Sequence, residues 1–368
     1  DTFDVVAAGV AGTNAKDVTY TKSAGAGADM VGNLLANVVT GDVSEVDGAA
    51  QIFLSAETTS TTTIDLTFSE DLLGTTITNS DFSVTGFTLT TPDATDTGTP
   101  GIVHLTVSTP FGTGDTPNVS YTGSVKDSPN LNTAPNRSDV TPSDGVASTF
   151  TATRTGLNTI VLTFSENVDV STIDGSGYTL SAGTVTANTD PAGTTNTITL
   201  TTSGLTGTSA TPTVTYGATA GTTVDAAANE VTDGVAAVAS DGVAPTVTLT
   251  STATSPTKTS PIPMTATFSE SVTGFDSSDV VVGNGTAGTV SGSGTTYTFD
   301  LTPTGQGTVT VDIAGSAAQD TASNNNTAAT QFSITYDSIA PSTPTVTHLD
   351  PINNANKSAV TLRIVGES

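Results

Sequence analysis

The stretch LTFSE stands at Leu66–Glu70 and again at Leu162–Glu166, and ATFSE stands at Ala266–Glu270. In TTTIDLTFSE and LNTIVLTFSE apolar and polar residues alternate at period two, the pattern of a half-buried β-strand. Phe68, Phe164 and Phe268 fall on the inner face of that alternation and are the expected core anchors. The same period turns the glutamate two positions on inward or towards a sheet edge. A catalytic motif is needed once, where a fold assembles one pocket, so a motif written three times points to a module.

Two further signatures recur around it. An Asp followed four positions later by Asn appears at Asp29/Asn33, Asp225/Asn229 and Asp320/Asn324, with the looser DSPN at Asp127/Asn130. Asp47, Asp144 and Asp241 each precede Gly, and Asp337 precedes Ser, at intervals of 97, 97 and 96 residues. Between these marks the chain is rich in Thr, Val, Ile, Phe and Tyr, punctuated by Gly, Asn, Asp and Pro as turn chemistry. The best helical stretch, AAANEVTDGVAAVA from Ala226, carries an internal Gly and β-branched residues and reads as loop and strand. A repeat of this length made of short antiparallel strands has the size of an immunoglobulin-like sandwich, ~100 residues.

The expected fold is therefore all-β: tandem immunoglobulin-like β-sandwich domains at 48–144, 145–241 and 242–337, with partial domains at both ends. KDVTYTKSAGAGADMVGN from Lys16 aligns with PTVTYGATAGTTVDAAAN from Pro212, so 1–47 reads as the C-terminal part of a domain. Residues 338–368 read as the N-terminal part of a further one, reaching the motif position at Glu367. Either the chain is a segment of a longer protein, or terminal half-domains of neighbouring subunits complete each other by strand addition in a head-to-tail filament.

Lys and Arg number 8 against 35 Asp and Glu, a formal net charge of −27. No basic patch is available to neutralise a phosphate backbone, so nucleic acid is excluded as a partner. The same field draws in cations, and carboxylate oxygens are the ligands hard divalent cations prefer, which makes calcium the cofactor to expect. There is no Cys, hence no disulfide, thiolate zinc site or cysteine nucleophile. No apolar run reaches the ~18 residues of a membrane helix, and DTFDVV lacks the basic start of a signal peptide, as expected of a mature or excised segment. Sequons at Asn118, Asn136, Asn284, Asn325 and Asn356 would permit glycans in a suitable host.

LTFSENVDVS, the D-x-x-x-N tail and the DGVAP joint at Asp241–Pro245 resemble the prokaryotic Ig-like repeats of S-layer proteins and large adhesins. The Thr-rich, Lys-poor, acidic form is most similar to S-layer proteins of ammonia-oxidising archaea. That resemblance implies an extracellular, cell-surface structural protein, a subunit or segment of an S-layer lattice, self-associating and calcium-stabilised at domain junctions. An adhesin stalk and the strand-complemented filament are the alternatives. Carried onto matching positions, the implied calcium ligands are the joint acids Asp47, Asp144, Asp241 and Asp337, the motif glutamates Glu70, Glu166 and Glu270, and the tail acids Asp127, Asp225 and Asp320. The first complete repeat departs from the pattern, with DSPNLN for D-x-x-x-N and no Ala-Pro after its joint. Without a metal, the same Asp and Asn would cap turns through their own side chains and the Glu would be a solvated edge residue.

Signals for catalysis are absent or bland. GNGTAG at Gly283–Gly288 satisfies G-x-G-x-x-G but is followed by a β segment where the dinucleotide motif needs a helix, and reads as a loop. His104 and His348 have no partner His at ligand spacing, and no nucleophile elbow accompanies them. Acids recurring once per repeat at fixed phase fit a structural role, and no enzyme is expected.

Overall fold

The computed structural model describes residues 51–69, 72–93, 101–123, 125–126, 132–169, 177–189, 195–218, 223–343, 345–348 and 362–365. They are strands joined by turns and short 3-10 segments, with no α-helix among the described residues. Two compact units are distinguished. The first runs up to Ala152 and takes in Thr159–Gly204 and Pro212–Ala239; the second takes Thr153–Asn158, Leu205–Thr211 and the chain from Ser240.

In the first unit the strands begin with β1 (Phe53–Ser60), β2 (Thr63–Phe68), β3 (Phe82–Val84), β4 (Leu89–Asp93), β5 (Ile102–Val107), β6 (Val119–Tyr121), β7 (Arg137–Val140) and β8 (Ser143–Asp144). They form one sheet ordered β4-β5-β2-β1-β8 and another ordered β3-β6-β7. Period-two alternation sends Ile64, Leu66 and Phe68 of β2 and Val103, Leu105 and Val107 of β5 to one side, where all are buried against Phe82, Val119 and Tyr121 of the other sheet. Phe68 meets Tyr121 edge-on at 5.8 Å. His104 lies on β5 with Nδ1 2.6 Å from Asp65 Oδ1 across the strand pair.

The pattern repeats in β9 (Phe150–Gly156), β10 (Thr159–Asp169), β11 (Tyr178–Leu180), β12 (Thr184–Thr189), β13 (Thr195–Ser203), β14 (Thr213–Tyr216), β15 (Val224–Asp225) and β16 (Ala236–Val238). β13 pairs with both β12 and β10, and β14 with both β11 and β16, all antiparallel. Phe164 packs on Phe150, Phe150 on Tyr178, and Tyr178 on Tyr216. The stretch from Ala226 is turn and strand, as its Gly and β-branched residues predict.

The second unit opens where β17 (Ser240–Asp241) pairs in parallel with the end of β9. It continues through β18 (Val247–Ser251), β19 (Ile262–Val272), β20 (Val280–Gly283), β21 (Gly285–Ala287), β22 (Ser291–Pro303), β23 (Gly307–Ile313), β24 (Phe332–Tyr336), β25 (Thr345–His348) and β26 (Leu362–Val365). β18-β19-β22-β21 and β20-β23-β24 enclose Phe268, Phe275, Tyr297, Ile262 and Ile313, and β25 pairs with β26. The three motif phenylalanines are thus buried, each at 2 or 3 % exposure.

GNGTAG is not a loop. Asn284, at φ 56, swings the chain from β20 of one sheet directly into β21 of the other, and Gly285–Ala287 is an edge strand. Its amide nitrogen donates to the carbonyls of Gly305, Gln306 and Thr308, so this sequon is tied into the turn. Asn136 and Asn325 are exposed, Asn118 is half-buried, and Asn356 lies outside the described residues.

The joints share one geometry. Thr58 of β1 faces Asp144 and Arg154 of β9 faces Asp241, each in a parallel pair. Asp337 follows a parallel bridge between Thr257 and Tyr336 and donates its N–H to Thr257 O.

Candidate metal centres

The D-x-x-x-N tails fold by themselves. Asp225 Oδ1 accepts the N–H groups of Ala227 (2.8 Å) and Asn229 (2.9 Å), and the Asp225 N–H donates to Asn229 O. Asp320 does the same with Ala322 and Asn324, both at 2.8 Å. Closing a turn around a carboxylate pushes the residue before the Asn into the left-handed region: Ala228 has φ 70 and Ser323 φ 69. The Asn then joins tail to joint. Asn229 Nδ2 donates to Asp225 Oδ2 and to Asp144 O, and Asn324 Nδ2 to Asp320 Oδ2 and to Asp241 O.

The motif serine fixes the third participant. Ser165 Oγ accepts the Thr149 N–H and lies 2.7 Å from Thr113 Oγ1; Ser269 Oγ accepts the Thr246 N–H and lies 2.9 Å from Thr208 Oγ1. One residue later, Glu166 and Glu270 arrive beside the joint and the tail. Ligand oxygens of Asp144, Glu166 and Asp225 all lie within 4.8 Å of one another, and so do those of Asp241, Glu270 and Asp320. These are six of the ten acids that the repeat singled out, sorted as joint, motif and tail.

Burial pushes the carboxyl of Glu166 above its ordinary value, a Thr113 hydrogen bond pulls it down, and Asp144, Asp225 and Asp115 push it up. For Glu270 burial again leads, Thr208 pulls down, Asp241 and Asp320 push up, and Arg154 pulls down. The Asx turns account for the Oδ1 atoms of the tail acids, and the threonines hydrogen-bond the glutamates, but one oxygen of each glutamate is left over. Glu166 Oε1 and Glu270 Oε1 are buried with no hydrogen-bond partner, and Glu270 as a whole is 6 % exposed. An orphaned carboxylate oxygen among two further acids is a costly arrangement for the protein alone.

The donor set suits a hard cation. It consists of oxygens only, the ligands that calcium takes at ~2.4 Å in a flexible geometry. Magnesium demands a tighter octahedron and retains water, and zinc favours nitrogen and sulfur.

Of the other expected ligands, Asp337 is described but joins no such group among the described residues; its Oδ1 accepts the Ile339 N–H. Asp47, Glu70 and Asp127 lie outside the described residues. The structure adds Thr113, Thr208, Ser165, Ser269, Asn229 and Asn324 as supports, and Asp115 and Arg154 as neighbouring charges. The threonines carry a legible signal: each stands four residues before a Pro, in TGDTPNVSY from Thr113 and TSATPTVTY from Thr208.

Fold and repeat define the chain as a tandem array of immunoglobulin-like β-sandwiches. Residues 241–336 match the family described as a bacterial Ig-like domain. Among solved structures, the chain is similar to the N-terminal part of the bacterial S-layer protein SbsC, with 12 % identity, 79 % of this chain and 45 % of that one covered, and a TM-score of 0.26. Domains 1–6 of SbsC give 13 %, 87 %, 59 % and 0.24 for the same quantities. Invasin, a bacterial integrin-binding protein, gives 14 %, 86 %, 66 % and 0.23. The chain spans about half the length of the S-layer proteins it matches. No curated protein matches the sequence.

Proposed function

We propose that the chain is a structural protein of the cell surface, a subunit or segment of an S-layer lattice. Its immunoglobulin-like domains, at 48–144, 145–241 and 242–337, are stabilised by calcium. One ion is held by Asp144, Glu166 and Asp225 and another by Asp241, Glu270 and Asp320. The observation that carries this reading is the recurrence of one construction at both places, down to the buried, partnerless Oε1 of the motif glutamate. Turn capping explains the aspartates but gives no reason to bury a carboxylate oxygen without a donor. The likeness to archaeal S-layer repeats belongs to the same proposal, as does cation enrichment by the −27 surface, calcium or ammonium included. Strand complementation depends on residues outside the described ones.

The test is a calcium titration of the metal-stripped full chain, followed by thermal melting and electron microscopy, with EDTA as reversal. Calcium is expected to raise the melting temperature and to drive ordered sheets that EDTA dissolves. A melting curve indifferent to calcium removes the metal, and an isolated rod in the micrographs moves the reading to an adhesin stalk.

A further inference from the structure

The two acid triads share geometry but not surroundings, and two positions make the difference. The first is the residue that faces the joint acid across the parallel pair. At Asp144 it is Thr58, whose hydroxyl donates to Asp144 Oδ1 at 3.3 Å. At Asp241 it is Arg154, fully buried, with Nη1 donating to Thr208 O and Ala210 O and Nη2 to Leu157 O and Gly207 O. Four carbonyls accept from its two Nη atoms, its Nε is buried without a hydrogen-bond partner, and it makes no ion pair among the described residues. A buried guanidinium needs compensating negative charge nearby, and its field acts favourably on Glu270.

The second position lies in the loop that carries the supporting threonine. Two residues after Thr113 stands Asp115, a further negative charge that acts on Glu166. Two residues after Thr208 stands Ala210, which offers only its carbonyl, and offers it to Arg154. Among the described residues, one triad therefore has a fourth acid acting on its glutamate and no cation, while the other has a cation beside it and no fourth acid.

Resting on the calcium reading above, we infer that the two centres are graded: Asp144–Glu166–Asp225 is the tight site, and Asp241–Glu270–Asp320 a weak one whose charge Arg154 already offsets in part. Two changes of the same sign in a partly buried setting make a separation of about tenfold or more in affinity. The first centre then stays loaded as calcium falls, and the second empties first.

Calorimetric titration of the metal-stripped full chain with calcium tests this, with each class of site assigned by the variant that abolishes it. Asp144→Asn is expected to remove the tightest of the two classes and Asp241→Asn the weaker. Asp115→Ala, at an exposed position, is expected to weaken the tight class severalfold, and Ala210→Asp to tighten the weak one. Arg154→Gln is expected to tighten the weak class too, and the two loop variants decide the matter if it does not fold. The grading is overturned if the class lost in Asp241→Asn is as tight as that lost in Asp144→Asn, or if the loop variants leave both constants unchanged. If neither Asn variant abolishes any calcium binding, the metal reading itself falls, and the grading with it.

Discussion

The first and last sandwiches of the described chain solve one problem with different residues. Two positions before each tail acid a backbone N–H is turned into the interior: Val125, Thr223 and Ala318. In the first unit a tyrosine hydroxyl accepts it, Tyr121 for Val125 at 2.8 Å and Tyr216 for Thr223 at 2.9 Å. In the second unit the position equivalent to these tyrosines holds Ile313, and the N–H of Ala318 goes to Oδ1 of the buried Asn326 at 2.7 Å. What is retained is the satisfied donor, because a buried N–H without a partner costs about as much as many whole side-chain contacts. That donor anchors the segment that delivers Asp225 or Asp320 to its centre, so it matters to the candidate sites and not only to the core.

The largest break in this comparison is Asn326→Leu. Asn326 also donates to Ala314 O and Thr327 O, so one buried N–H and two part-buried carbonyls lose a partner at once. We expect a loss of about 2–4 kcal/mol, seen in urea unfolding as early melting of the last sandwich with the others unchanged. Tyr216→Phe comes next. It strips the acceptor from Thr223 N–H and the donor from Glu230 Oε1, for about 1–3 kcal/mol. Hydrogen exchange should speed at the Thr223 amide and not at Ala318. If exchange at Thr223 is unmoved, the hydroxyl is not the group that holds this strand.

Much of this architecture was legible because it is local. The alternation in LTFSE predicts the burial of Phe68, Phe164 and Phe268, and D-x-x-x-N predicts a turn closed on its own carboxylate. The grouping of acids was half-legible: joint, motif and tail were each visible as classes. That Asp144 meets Glu166 and Asp225 is a matter of strand pairing over long separations, which period-two patterns do not encode. Arg154 was invisible for a different reason. A lone Arg on a β-strand ordinarily reads as solvent-facing, and only the loop carbonyls of 207 and 208 and their neighbours show how it is buried. Asn326 was hidden in the run Asn324-Asn325-Asn326, where one residue clamps the joint, one is exposed and one replaces a tyrosine.

A smaller effect sharpens the likeness between the two tails. Ala228 and Ser323 occupy the left-handed region without being glycine, which costs ~1–2 kcal/mol against a glycine entropy penalty of ~0.5–1. Ala228→Gly and Ser323→Gly should each therefore stabilise by about 0.5–1 kcal/mol, and by similar amounts. Destabilisation at either would mean that its turn is imposed by packing on that side chain and not by the Asp.

The smallest effect expected is in the pH dependence of the metal-stripped protein. A glutamate whose folded pKa lies above its ordinary value of 4.5 holds its proton more tightly in the native state than in the unfolded chain. Between the two values the native state binds more protons, so stability rises as pH falls from the raised value towards 4.5 and is flat above it. Glu166→Gln and Glu270→Gln should each remove part of that rise without moving the core. Burial leads both shifts, so both variants should flatten the curve in the same sense. Calcium should invert the trend in the wild-type chain, since the bound ion requires both glutamates ionised, and stability would then fall with acidification over the same range. A wild-type curve of the same sign with and without calcium would show that the glutamates are not what the ion binds.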